Sequence, residues 1–159
     1  MPHTQRPIDD AETLGTLEAL WAMDHGLQSI SRAMHTHLGV TGPQRFVLRV
    51  VGASPGLTAG ALARTLHDHP STLTAMLKRL VSLDLVTREG DPLDQRRVRL
   101  RLTPTGERLD QLREGTAEAA VRSTLAMVSD EDAATFRRVL GLLADQLERT
   151  AQEIPGTSP

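Results

Sequence analysis

Over residues 96–102 the chain reads RRVRLRL, with Val98, Leu100 and Leu102 alternating against Arg97, Arg99 and Arg101. A period of two puts the apolar side chains on one face of a strand and the arginines on the other. The apolar residues on either side recur instead at steps of three and four, the period of amphipathic helices. A short two-faced strand in an otherwise helical chain reads as part of a small hairpin, greasy on one face and cationic on the other. Its partner is LVTRE at 85–89, and GDPLDQ at 90–95 reads as the turn-rich loop between them.

The helical segments can be placed by their stripes and punctuation. From Asp10 to Leu38, apolar residues at Leu20, Met23, Leu27, Ile30, Met34 and Leu38, with Leu14, Leu17 and Trp21 upstream, predict one long helix stopped by Gly39. At nearly thirty residues it is too long to lie on a small core throughout, so part of it is expected to pack against another chain. Pro43 opens a second helix with Phe46, Val47, Val50 and Val51 on one face, ended by Gly52. Thr58 caps a short third helix that turns Ala59, Leu62, Ala63 and Leu66 inward. After HDHP, a fourth over 71–83 buries Leu73, Leu77 and Leu80 and leaves Thr72, Thr74, Lys78 and Arg79 outside that stripe.

Beyond the hairpin, Thr103 and Pro104 start another long helix carrying Leu109, Leu112, Ala119, Ala120 and Met127. Ser129 and Asp132 resemble a capping box for a last helix that buries Phe136, Val139, Leu140, Leu143 and Leu147 and ends before Pro155. The fold class is therefore mainly α with a small β-hairpin wing (α+β). Three helices, the third entered by a tight turn after the second short one, then a hairpin, is the order of a winged helix-turn-helix. A short helix projecting Ser71, Thr72, Thr74 and Lys78 suits a major groove about 12 Å wide. A basic hairpin tip suits the backbone or the narrow minor groove, where arginine is favoured.

Charge and composition agree with a local polyanion contact. Residues 58–101 carry a net charge of +3 and the remainder −5, within a chain of formal charge −2. With only Trp21, Phe46 and Phe136 as aromatics, base stacking on aromatic platforms is a poor match. The absence of cysteine excludes disulfides, thiolate nucleophiles and Cys-based zinc sites. No apolar run approaches the roughly 18 residues of a membrane span and the N-terminus lacks signal-peptide order, so a soluble cytoplasmic protein is expected. No Gly-rich phosphate loop or nucleophile motif is present, so no enzyme and no cofactor is predicted.

The segments TGPQRFVLRVV, LTAGALARTL, PSTLTAMLKRLVSLDLVTRE and DPLDQRRVRLRLTPTG, in this order, resemble the MarR (multiple antibiotic resistance) regulators over about 10–150. The most specific piece is the last, an Asp-x-Arg wing tip followed by alternating strand residues and Leu-Thr-x-x-Gly. The resemblance implies a homodimer whose base is built from 10–38 and 104–151, with 43–103 as the winged DNA-binding region of a single-domain chain. It implies a sequence-specific regulator of double-stranded DNA, usually a repressor at a pseudo-palindromic operator, released by a small effector such as an aromatic acid or phenol. By position, Ser71, Thr72, Thr74, Lys78 and Arg79 lie on the recognition helix, Arg96 is the minor-groove arginine with Arg97 beside it, and Asp94 holds the wing arginine in place. Where the family commonly has Gly-Leu after that helix, this chain has Asp84-Leu85, and Asp accepts the left-handed backbone better than most residues. The recognition helix is similar to that of the peroxide-sensing branch, but without cysteine that chemistry is excluded.

Blander roles stand beside these. One of Arg97, Arg99 and Arg101 can serve only to keep a strand edge soluble, and Ser71 and Thr72 can serve as helix caps. A winged helix that binds protein instead of DNA, or a metal-responsive regulator of the same fold, are the alternatives. His35 with His37 and His67 with His69 sit two apart, which does not put both rings on one helical face, so no metal site is predicted. Trp21 with His25 could border an effector cleft, but a core or dimer-interface tryptophan is the plainer reading; the effector-binding residues are not identified.

Overall fold

The computed structural model describes residues 7–66, 70–91 and 94–154, excluding the side chains of Pro70, Asp91 and 94–97. Helix α1 spans Asp10–Leu38; Asp9 caps it by accepting the Glu12 N–H at 2.7 Å, and Gly39 ends it at φ 73°, donating to the His35 carbonyl. Only Met34 is buried along its length, while Leu14, Leu17, Trp21, Met23 and Leu27 stay exposed. The helix does outrun its core, and Trp21 is not a core residue of the chain.

Helix α2, Gly42–Ala53, starts with a reciprocal capping box in which Thr41 and Gln44 each receive the other's backbone N–H. Two expectations fail here. Gly52 lies inside the helix, which continues to a cap at Ser54. Its role is close packing, since a Cβ at that position would meet Asp110 Oδ2 and Leu102 Cδ1, each at 3.0 Å. Phe46 is 52% exposed, and the inward face is Arg45, Val47, Leu48 and Val51.

A short strand β1, Leu57–Thr58, leads into α3, Ala59–Leu66, where Thr58 Oγ1 accepts the Ala61 N–H at 3.2 Å as the expected cap. Helix α4, Pro70–Ser82, buries Leu73, Leu77 and Leu80. Its end is a Schellman turn: Leu85 N–H reaches the Leu80 carbonyl at 3.0 Å, Asp84 N–H reaches Val81 at 3.0 Å, and Asp84 takes φ 55°. Leu80 and Leu85 are both buried, the apolar contact that accompanies this cap.

Strands β2, Val86–Asp91, and β3, Asp94–Leu102, pair antiparallel with Val86 opposite Leu102 and Asp91 opposite Asp94. The register is regular from Val86 opposite Leu102 to Gly90 opposite Val98 and shifts between Gly90 and Asp91, within the stretch read as the loop. The sheet is also wider than a hairpin. Strand β1 joins the other edge of β3, Leu57 opposite Leu100 and Thr58 opposite Arg99, giving the order β1-β3-β2. Leu100 is fully buried between them. Around it Val40, Val47, Leu48, Val51, Leu62, Leu73, Leu77, Leu80, Leu85 and Val86 form one core shared by α2, α3, α4 and the sheet.

The long helix expected from Pro104 is two. Helix α5 covers Pro104–Gln111, and α6 resumes at Ala117–Leu125. Leu112 is extended, at ψ 133°, and Gly115 takes φ 67°, a left-handed backbone that a helix cannot contain. Met127 falls outside both helices and is exposed. The chain divides into two compact units, Met1–Ala117 and Glu118–Pro159. In the second, α7 runs Asp130–Glu153 from Ser129, whose Oγ accepts the Asp132 N–H at 3.1 Å and donates to the Asp132 carboxylate at 2.6 Å. Of its apolar stripe, Phe136, Val139 and Leu147 are exposed and Leu140 and Leu143 only half-buried, so among the described residues of the second unit the expected burial does not occur.

Candidate nucleic-acid interface

The burial of Leu73, Leu77 and Leu80 fixes which way α4 faces. At about 100° per residue, Ser71, Ala75, Lys78 and Ser82 line the opposite side, with Thr72 and Arg79 on one flank and Thr74 on the other. Ser71, Thr72, Thr74, Ala75, Lys78 and Arg79 are all exposed. The five recognition-helix positions expected from the sequence therefore lie outside the core on one element. Ala75 was missed. Its signal was its spacing of four from Ser71 and Arg79, and a methyl there can meet a thymine methyl in a major groove.

Beside α4 stands the sheet. Its inner face carries Val86, Leu100 and Leu102, and its outer face Thr58, Thr87, Glu89, Arg99 and Arg101. The alternation holds in the ladder over 98–102, but the outer face is not purely cationic: Arg101 Nε lies 3.3 Å from Glu89 Oε2. Asp94, Arg96 and Arg97 occupy the hairpin end of β3, and their side-chain positions lie outside the described residues. The same is true of His67 and His69. His35 and His37 are exposed, and among the described residues no group of three or more His, Cys, Asp or Glu could hold a metal ion.

The Leu-Thr-x-x-Gly motif proves to be the joint that sets the wing against α4. Thr103 caps α5 by accepting the Gly106 N–H at 2.9 Å, and its hydroxyl donates to the Asp84 carbonyl at 2.6 Å. Its own N–H reaches the Leu85 carbonyl at 3.1 Å. One residue thus ties together the end of α4, the end of β3 and the start of α5. Gly106 is required by closeness: a Cβ there would stand 2.0 Å from the Leu85 carbonyl oxygen.

A second joint was not foreseen. Arg45 of α2, 1% exposed, donates through its guanidinium to the carbonyls of Leu109, Asp110 and Leu112 at the end of α5. Carbonyls in the last turn lack helical partners, and a buried cation from another helix supplies them. One turn on, Arg49 Nη1 donates to both Asp110 carboxylate oxygens at 2.8 and 2.7 Å. These bonds hold α5 where the expected long helix breaks.

An exposed polar helix held by its apolar face to a three-helix core, followed by a small sheet with arginines outward, defines the winged helix-turn-helix class of DNA-binding folds. The family model described as "MarR family" matches residues 38–97. The transcriptional regulator HosA of Escherichia coli O111:H- is 30% identical over 113 residues, 71% of this chain and 84% of that protein. The HTH-type transcriptional repressor Rv2887 of Mycobacterium tuberculosis (strain ATCC 25618 / H37Rv) is 30% identical over 103 residues, 65% of this chain and 74% of that one. Among solved structures, the PcaV transcriptional regulator of Streptomyces coelicolor, in complex with its natural ligand, superposes with TM-score 0.67 at 26% identity, covering 89% of this chain and 98% of that one. The chain belongs to the MarR family of transcriptional regulators and is not an enzyme. Among the described residues no helix is long and apolar enough to cross a membrane.

Proposed function

We propose that the protein is a cytoplasmic, homodimeric repressor that binds a pseudo-palindromic operator in double-stranded DNA and leaves it when a small effector, an aromatic acid or phenol, is bound. The observation that carries the DNA reading is the exposed face of α4, on which Ser71, Thr72, Thr74, Lys78 and Arg79 stand clear of the core. In this reading they meet base edges and phosphates in the major groove, while Arg96, with Arg97, enters the minor groove held by Asp94. The similarity to a protein named as a repressor supports repression, and the similarity to a regulator solved with its natural ligand supports an effector.

The homodimer is supported by apolar surface. Trp21 is 71% exposed on α1, accompanied by Leu14 and Leu17; on α7, Phe136, Val139, Leu142 and Leu147 are exposed. Apolar stripes of this extent on both long helices call for a partner chain. A two-fold dimer then reads half-sites about one helical turn apart.

The deciding experiment is a binding isotherm against the duplex upstream of the protein's own coding region, with an unrelated duplex as competitor, at two salt concentrations. Competitor-resistant binding that weakens with salt is expected, with log affinity falling by about 0.9 per phosphate contact per unit of log salt. Binding to neither duplex at either salt would turn the reading towards a winged helix that docks on protein.

A further inference from the structure

We propose that Glu89 is an internal competitor for DNA phosphate that sets how strongly the wing attaches to the backbone. The inference rests on the DNA-binding reading above. In the ladder Glu89 stands directly opposite Arg99, with Arg101 on the diagonal, and its Oε2 lies 3.3 Å from Arg101 Nε. Diagonal neighbours on one face of an antiparallel pair are within reach of long side chains. Thr87 and Thr58, the other residues of this face on β2 and β1 whose side chains are described, are uncharged, so Glu89 is the acidic group among its described side chains.

Both partners are solvent-accessible, Arg101 at 47% and Glu89 at 54%. A pair so exposed adds little to the stability of the fold. Its consequence is electrostatic. A phosphate approaching this face either meets an arginine already neutralised, or displaces a carboxylate that stays close by and repels it. In both cases the face contributes about one phosphate contact fewer than its arginines would allow. The base-reading face of α4 lies on another element and is unaffected. Glu89 thereby weakens sequence-independent attachment, which is almost wholly electrostatic, and keeps recognition dependent on α4.

The test compares wild type, Glu89→Gln and the double variant Glu89→Gln/Arg101→Ala by fluorescence anisotropy across a salt series, on the upstream duplex and on an unrelated one. Glu89→Gln is isosteric and exposed, and a circular-dichroism melt coincident with wild type verifies its fold. On the unrelated duplex it is expected to bind about 3- to 10-fold more tightly at low salt for each wing engaged, with the salt slope steeper by about 0.9 per wing and so by about 1.8 for the homodimer. The double variant should return to the wild-type slope, because the released Arg101 is what the phosphate gains. Unchanged affinity and slope in Glu89→Gln overturns the proposal, as does a double variant that keeps the gain. A wild-type protein that binds neither duplex rejects the DNA reading itself, and this inference with it, and is recognised in the same titration.

Discussion

Gly106→Ala is the smallest change that attacks the joint between wing and recognition helix. The added methyl would sit 2.0 Å from the Leu85 carbonyl oxygen, 3.0 Å from its carbon and 3.4 Å from Leu102 Cβ. Ordinary contact needs about 3.4 Å, so α5 and the Leu85 peptide must separate by more than an ångström. That separation strikes three hydrogen bonds at once: Thr103 N–H to Leu85, Thr103 hydroxyl to Asp84, and Gly106 N–H to Thr103. At about 1 kcal/mol net for each bond, the loss is roughly 3 kcal/mol. The better helix propensity of Ala restores up to about 1 kcal/mol, leaving a net cost of about 2 to 3 kcal/mol. For a chain of this size that lowers the melting temperature by roughly 4 to 12 °C. Gly60→Ala is the control, since its Cβ would meet nothing within 4 Å in α3, and it should melt at or slightly above wild type. Thermal and urea unfolding followed by circular dichroism measure both. If Gly106→Ala melts with wild type, the close approach to Leu85 is not what this glycine serves.

Other changes test separate parts of the reasoning. Arg45→Met keeps the volume of the side chain but leaves the carbonyls of Leu109, Asp110 and Leu112 without their buried donor, and should cost about 2 to 4 kcal/mol in urea unfolding; a loss under 1 kcal/mol would mean that water replaces it readily. Asp84→Gly removes the left-handed strain at φ 55° and should stabilise by about 0.5 to 1 kcal/mol, measured as a higher urea midpoint at an unchanged m-value. Arg96→Ala should weaken operator binding by about 1 to 3 kcal/mol without moving the melting curve, and an unaltered isotherm would remove Arg96 from the interface.

What could be read directly from the sequence is what short-range physics decides. The bounds of α1 follow from Asp9 capping three residues ahead and Gly39 accepting a left-handed backbone, both local events. The Thr58 cap and the Leu73, Leu77 and Leu80 stripe are equally local, so the outward face of α4 followed from spacing alone, while its reading as a DNA contact came from the family resemblance. Asp84 in the left-handed region was expected from the resemblance, whose members commonly carry Gly there, and the Schellman turn is the physical reason.

What escaped depended on partners far along the chain. The hairpin became a three-stranded sheet because Leu57 and Thr58 pair with residues more than forty positions away. A helix expected to run on from Pro104 ends at Gln111, where Arg45, over sixty residues upstream, takes up its last carbonyls. Gly52 reads as a helix stop until Asp110 and Leu102 are found against it. The arginine alternation correctly separated the two faces of β3 over 98–102, yet only the ladder register shows that Glu89 reaches Arg101 across it. Periodicity specifies which side of an element seeks the core; which element arrives there, and which charge it brings, is decided only when the chain closes on itself.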